Sequence, residues 1–466
     1  MSRPFALLPA GRRLAAGLLA ALLLGLSGCE GPAGPGPQGE SAPPQSPEAV
    51  TTQAAEASAL PTESLPPALP EPEDAEAAAA LYEAVPMDYE PLEREAAGPN
   101  APIPAPRYRR DDAGGWRRET EPEGPAVLML TGDLMCQTRQ QEAAATESGY
   151  DFRDSFTYVA PVLAEADLVI GNLEATLSEG APYMAEAPSV EGKPHLNAPA
   201  VFLEALRGAG FDLLVMSNNH NCDAGVRGVY DTLDRVEEYG FIHTGTFRGS
   251  REPRFALAEL KGIRFGVFSY SCLFNGKQKH FTEAGQRLLL NPYDPDVAAA
   301  DAAAARAAGA EYLLVYIHWG SEYTNSPNDS QRRIARELAD AGFDCIVGSH
   351  PHALQPFEFL QAADGRRVPV FYSLGNFVSH QRKTVTKDTL ILRLAFVRDP
   401  AGAVTLSELG YIPCRVFQSF LDHSYAVLPL TEPYAGGRRS RLFAPAYERI
   451  TEILGPGIPA LGEPPN

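Results

Sequence analysis

The chain has 466 residues, 59 of them acidic and 39 basic, for a formal net charge of -20. This balance argues against nucleic acid as a partner, because no basic stripe is available to neutralise phosphates. Six cysteines with no CxxC spacing argue against a disulfide framework or a zinc ribbon.

Taken in chain order, the first segment is a leader. Arg3, Arg12 and Arg13 flank and precede the apolar run Leu14 to Leu26, which is too short to span a bilayer comfortably. A basic start, an apolar run and small residues read as a secretory signal. Its end, Leu26-Ser27-Gly28-Cys29, resembles the bacterial lipobox, which implies cleavage before Cys29 and lipidation of its sulfur. Several acyl chains on one residue anchor stably where one does not. The alternative is an ordinary cleaved signal with an incidental cysteine. Residues 1–29 are therefore assigned to the signal and 30–124 to a disordered tether. The tether is rich in Pro, Ala, Glu, Gly and Ser and has too few aliphatic clusters to offset ordering entropy. Within it, Asp74 to Val85 is expected to be helical only transiently. Leader and tether together place the folded part at the bacterial cell surface, on the outer face of the cytoplasmic membrane. With Cys29 lipidated, the remaining cysteines are an odd set of small, mostly buried residues, of which Cys136 and Cys222 fall near the stretches discussed below.

Residues 125–430 are expected to form one α/β domain and 431–466 a tail that frays or wraps the surface. Short apolar runs of the buried kind predict strands at Ala126–Leu130, Leu168–Ile170, Leu213–Met216, Tyr312–Ile317, Cys345–Val347 and Val370–Tyr372. Helices are predicted over Pro199–Ala209, Gly225–Tyr239, Val297–Ala308 and Asp329–Ala341, the last two ending near Gly309 and Gly342. Four more alternating runs, Arg254–Leu260, Arg264–Tyr270, Thr389–Val397 and Val404–Tyr411, are candidates for antiparallel pairing.

Five stretches read as loops just after buried strands, where an open α/β sheet binds its ligands. They are Thr131-Gly132-Asp133, Gly171-Asn172-Leu173-Glu174, Asn218-Asn219-His220, Ile317-His318-Trp319-Gly320 and Gly348-Ser349-His350-Pro351-His352. Four of the nine histidines fall in them. Gly132 is read as a tight turn that aims the Asp133 carboxylate outward. Singly, Asp133 reads better as a capping or turn residue, and Glu174 is ambiguous between a first-turn helix charge and a ligand. Asn218-Asn219-His220 is costlier to bury without partners, and Asp223 is placed to orient the His220 imidazole. His318 alone reads as a satisfied core histidine. His350 and His352, two apart in an extended segment, are expected to face one side. Carboxylate, amide and imidazole donors without thiolate suit a divalent cation.

In this order the motifs resemble the calcineurin-like metallophosphoesterase superfamily, and more closely the CapA-type capsule (poly-γ-glutamate) biosynthesis family. The likeness runs through Gly132-Asp133-Leu134-Met135, Asn172-Leu173-Glu174, Asn218-Asn219-His220, Asp223, His318-Trp319-Gly320-Ser321-Glu322, His350-Pro351-His352, Gln355 and Asn376. It implies a four-layer sandwich of two mixed β-sheets flanked by helices. By motif, it implies that Asp133, Glu174, Asn219, His318, His350 and His352 hold one or two divalent ions (Mn, Fe or Zn). His220 would act on the substrate with Asp223 behind it. Asn172, Asn218, Trp319, Glu322, Gln355 and Asn376 would line the pocket. Met135 stands where the superfamily often has a histidine, and Glu174 where it has a bridging aspartate; CapA-type chains share both changes. The implied function is a lipid-anchored, metal-dependent phosphoesterase-type protein in capsule or poly-γ-glutamate biosynthesis or export. It would meet an anionic polymer or phosphoester substrate and membrane synthase or export partners. Two rivals stay open: a non-catalytic, metal-containing binding component of polymer assembly, and a hydrolase of a non-phosphate bond.

Overall fold

The computed structural model describes residues 72–94, 98–118, 120–249, 253–419, 423–432 and 443–464. The leader, Cys29 and the first part of the expected tether lie outside the described residues. Strands and helices alternate from Ala126 onward, and the strands sort into two large sheets. One sheet runs in the order Ile242–Thr244, Leu213–Val215, Leu168–Leu173, Ala126–Leu134, Asp388–Arg398, Val404–Gln418 and Tyr425–Pro429, and Asn376–Val378 also pairs with Ala126–Leu134. Its first four strands are parallel and the last three antiparallel. The other contains Ala256–Leu260, Ile263–Ser271, Tyr312–His318, Cys345–Ser349, Arg367–Leu374 and Leu354–Gln361, with parallel pairing at its centre.

The side-chain period of a strand assigns each face to a layer. Leu128 and Leu130 meet Leu314, Val347 and Phe371 in a core between the sheets. Their neighbours Val127 and Met129 face the helices Phe202–Ala209 and Gly225–Glu238 on one outside. Leu313, Val315 and Ile346 face Pro295–Ala307 and Asp329–Asp340 on the other. The architecture is the four-layer α/β/β/α sandwich expected. Both faces of each central strand are buried, which is why those strands read as continuous apolar runs rather than alternating ones. Among the described residues no helix is long and apolar enough to cross a membrane.

The expected tether needs correction. Residues 72–94 and 98–118 are folded onto the domain. Asp74 caps the helix Ala75–Tyr82 by accepting from the Glu76 and Ala77 amides at 3.0 and 2.8 Å. Ala78, Ala79 and Tyr82 are buried. Tyr108 donates its hydroxyl to Asp167 O at 2.6 Å, and Trp116 extends a sheet edge beside Ala258. Arg107 reaches the buried Asp212 carboxylate, with Nε to Oδ1 at 2.8 Å. A few large anchors spaced through a Pro- and Ala-rich stretch suffice, and an average composition hides them. Tyr82→Ala is expected to cost about 3 kcal/mol, as loss of a large buried ring does. A shift in denaturant midpoint measures this, and an unchanged midpoint would restore the tether reading. The tail likewise wraps: the helix Ala444–Leu454 buries Ala446, Ile450 and Leu454 against the inter-sheet core.

Candidate metal centre

The parallel strands of both sheets bring their C-terminal ends to one edge, and the ligand candidates sit there. Several lie inside the last residues of strands rather than in the loops beyond: Asp133 in Ala126–Leu134, Asn172 in Leu168–Leu173, and His318 closing Tyr312–His318. Asp133 is in register with Asn172 on one side and Asn376 on the other. Asn172 Nδ2 donates to Asp133 Oδ1 at 2.9 Å, and His352 Nδ1 is 3.4 Å from Asp133 Oδ2. His318 Nε2 lies 2.9 Å from Asn219 Oδ1 and 3.8 Å from Glu174 Oε1, and its Nδ1 is 2.8 Å from Ser349 Oγ. His352 Nε2 lies 3.9 Å from Glu174 Oε1. The His350 ring stands 4.8 Å from His318 and 5.8 Å from His352, centroid to centroid. The structure thus brings together Asp133, Glu174, Asn219, His318, His350 and His352.

His350 and His352 converge for a reason other than the one expected. Neither is extended: their φ angles are 91° and 55°. Left-handed backbone in a residue with a Cβ costs on the order of 1–3 kcal/mol and persists only where surrounding structure enforces it. Strain of this kind on both sides of Pro351 aims the rings.

Electrostatically the pocket is incomplete without a cation. Asp133 Oδ2, both Glu174 oxygens and His350 Nδ1 are buried with no hydrogen-bond partner. Burial, then the neighbouring Asp133 carboxylate, pushes Glu174 well above the usual carboxylate range. Burial, then the nearby His352 and His220 rings, pushes His350 down to about 3. Burial followed by His350 does the same to His318, well below the ordinary imidazole value. Neutral imidazoles at His318 and His350 are the form a divalent cation requires of histidine ligands, and a cation would return the raised Glu174 carboxyl to its ionised form. Ligand atoms of Asp133, Glu174 and His352 all lie within 4.8 Å of one another, and so do those of Glu322, His350 and His352. The donor set fits a divalent cation.

The surrounding residues divide. His352 Nδ1 is 2.8 Å from Asn376 Oδ1, to which it donates, and Nε2 is turned toward Glu174. Asn218 stands behind the site, donating to Asn172 Oδ1 at 3.2 Å and Leu173 O at 2.8 Å. Glu322, expected on the wall, is within ligand reach instead. Two pocket expectations are corrected. Trp319 is a core residue, its indole donating to Tyr372 O at 2.9 Å while its ring stacks on Tyr372. Gln355 braces the loop before Asp329–Asp340, bonding Gln331 and Thr324 O. Trp319, just past the end of Tyr312–His318, packs into the outer core, and Gln355 is turned by its strand toward the Gln331 helix. Cys136 and Cys222 are buried and burial raises both thiols, so neither is an available thiolate ligand. Met135 is buried among core side chains and offers no ligand.

His220 lies beside the ligands without joining them. Its Nδ1 is 2.7 Å from Asp223 Oδ2, which also accepts the Leu196 amide at 2.6 Å. Asp223 Oδ1 accepts from Lys277 Nζ at 3.0 Å. Lys277 carries no motif, and the sequence reading missed it; only the fold carries its ammonium into this buried position.

Residues 127–381 match the family model described as bacterial capsule synthesis protein PGA_cap. The chain is 30% identical over 308 residues to the PGA biosynthesis protein CapA of Bacillus subtilis (strain 168), covering 65% of this chain and 77% of that protein. It is 29% identical over 315 residues to the capsule biosynthesis protein CapA of Bacillus anthracis, covering 65% and 72%. Among solved structures, the calcineurin-like phosphoesterase YfkN from Bacillus subtilis aligns with a TM-score of 0.40 at 13% identity, over 71% of this chain and 98% of that one. The Haemophilus influenzae NAD nucleotidase NadN aligns with a TM-score of 0.41 at 12% identity, over 73% of this chain and 64% of that one. With more than half its length matched to the family model, and that part carrying every ligand candidate, the chain belongs to the bacterial capsule synthesis protein (PGA_cap) family.

Proposed function

We propose that this protein is a lipid-anchored, extracytoplasmic, metal-dependent hydrolase of phosphoesterase type, acting in the assembly or export of an anionic capsule polymer. The observation that carries the reading is the set of buried, unpartnered oxygens on Asp133 and Glu174 beside the His318 and His352 rings. Relatives named for PGA biosynthesis support a polyglutamate-type polymer. Anchoring through Cys29 would set the domain on the outer face of the cytoplasmic membrane, beside synthase or export partners.

Asp133, Glu174, Asn219, His318, His350 and His352 would hold one or two ions, and oxygen with imidazole donors favours Mn, Fe or Zn. When bound, a divalent cation supplies Lewis acidity, lowering the pKa of an attacking water and offsetting charge on the substrate's oxygens. His220, oriented by Asp223, would deliver a proton to the leaving group. Asn376 fixes the tautomer of His352, and Asn172 fixes the rotamer of Asp133.

The test is metal content and turnover of the purified mature chain on phosphate mono- and diesters and on γ-glutamyl amides, with and without added Mn. Turnover that chelation abolishes is expected. Glu174→Gln is expected to lower bound metal at least about tenfold, since it removes a charge from the centre of the donor set. Polymer binding without turnover of any ester or amide would overturn the hydrolase reading and favour a binding component. The burial of Met135 away from the pocket is the one feature pointing that way.

A further inference from the structure

Beyond Asn376 the chain runs along one side of the pocket as Ser379 to Lys383. Asn376 is bonded to His352 through Oδ1 and donates from Nδ2 to Gln381 Oε1 at 3.1 Å, so one side chain ties this stretch to the ligand set. Lys383 Nζ sits 3.5 Å from the centroid of the Tyr323 ring, and that ring lies 6.1 Å from the ring of His352. A lysine over an aromatic face is held in place without losing its charge. Arg139, in the helix Thr138–Ala144, approaches from the other direction, its amide donating to His380 Nδ1 at 3.3 Å. Arg382 is close by as well: after burial, Arg382 and then Arg139 are what hold His380 below its ordinary value.

All three cations are exposed. Among the described residues, neither Arg382 nor Lys383 has an ion-pair partner, and Arg139 pairs only with the exposed Glu142 at 3.1 Å. On a chain whose net charge is -20, Arg382 and Lys383 thus stand as unpaired positive charges beside the Arg139–Glu142 pair. A local cationic rim focuses an anionic partner onto one place even when the whole molecule repels it.

We propose that Arg139, Arg382 and Lys383 form a carboxylate-binding rim that holds successive units of an extended polycarboxylate while another unit occupies the metal-ligand pocket. The identity of the polymer rests on the function proposed above, whereas the placement of the rim rests on the geometry. The guanidiniums suit paired contacts with carboxylate oxygens and the ammonium suits a single point contact. Because the rim is exposed, the interaction is expected to weaken as salt rises.

The experiment titrates the full mature chain into fluorescently labelled poly-γ-glutamate and reads anisotropy at low and physiological salt. Its variants are the triple R139Q/R382Q/K383Q and, separately, Glu174→Gln. The triple variant is expected to bind roughly tenfold more weakly or worse, each exposed pair contributing modestly, with a shallower salt dependence. Bound metal and thermal midpoint should stay at wild-type values, because none of the three touches a ligand atom. Wild-type affinity in the triple variant would overturn the proposal, as would absence of polymer binding in the wild type. Selective binding of polyphosphate or of phosphatidylglycerol vesicles, with poly-γ-glutamate ignored, would overturn it in favour of a phosphate-bearing partner. Binding is read without turnover, so a chain that hydrolyses nothing still answers this question, and Glu174→Gln reports separately on the metal centre.

Discussion

His220→Ala is expected to lower turnover about 10²–10⁴-fold while bound metal stays at the wild-type level. The separation follows from the geometry: His220 is adjacent in sequence to Asn219, yet its ring is committed to Asp223 rather than to the carboxylate cluster. Burial alone would drive Asp223 toward its neutral form. The His220 imidazole, followed by Lys277, more than offsets that and holds its pKa below the usual carboxylate range. The carboxylate is therefore ionised and accepts from Nδ1, leaving Nε2 as the nitrogen free to exchange a proton with a substrate. Under the proposed function, removing the ring would remove a proton donor and none of the atoms expected to hold the metal. Steady-state kinetics with elemental analysis on the same sample make the measurement. An unchanged rate would remove His220 from the chemistry, and parallel loss of metal and rate would recast it as structural.

Gly132→Ala is expected to cost more than about 3 kcal/mol, at the upper end of overpacking effects, and to lower bound metal along with stability. The sequence reading assigned this glycine to a tight turn. In the structure it lies within the strand Ala126–Leu134 and is not among the glycines with positive φ. What demands glycine here is close approach: a methyl group would overlap the Gly375 carbonyl oxygen. That same oxygen accepts the Asp133 amide at 3.0 Å, so the strands cannot separate without moving the carboxylate. Against a total stability of some 5–15 kcal/mol, a loss of this size brings the domain near unfolding. Chemical denaturation with metal analysis reads both parts, and wild-type values for both would show that the backbone relaxes freely there.

How much of this was open to reading depends on range. Continuous apolar runs such as Tyr312–Ile317 declared buried strands, and the ligand motifs declared their donor types, because both are local patterns. Strand ends were placed too early by up to four residues: Thr131, Gly132 and Asp133 read as loop but lie within the strand Ala126–Leu134, where Thr131 and Asp133 are ladder-paired. Polar side chains at a strand terminus look like loop residues unless the partner that satisfies them is known. The helix Ala75–Tyr82 was expected only as a transient one, and the burial of Tyr82 and Tyr108 was averaged away in a Pro- and Ala-rich composition. Trp319 and Gln355 were misassigned because a shared motif says nothing about which face a side chain takes.

The sequence by itself determined the class of the fold, the order of its strands and helices, and the chemical types gathered at the strand ends, since periodicity and donor chemistry are properties of neighbouring residues. Only the tertiary structure decided how His350 and His352 converge, where Lys277 meets Asp223, and that Glu322 and the Arg139, Arg382 and Lys383 rim flank the pocket. Those relations join residues up to hundreds of positions apart, and they exist only once sheet register and left-handed backbone have fixed where each side chain points.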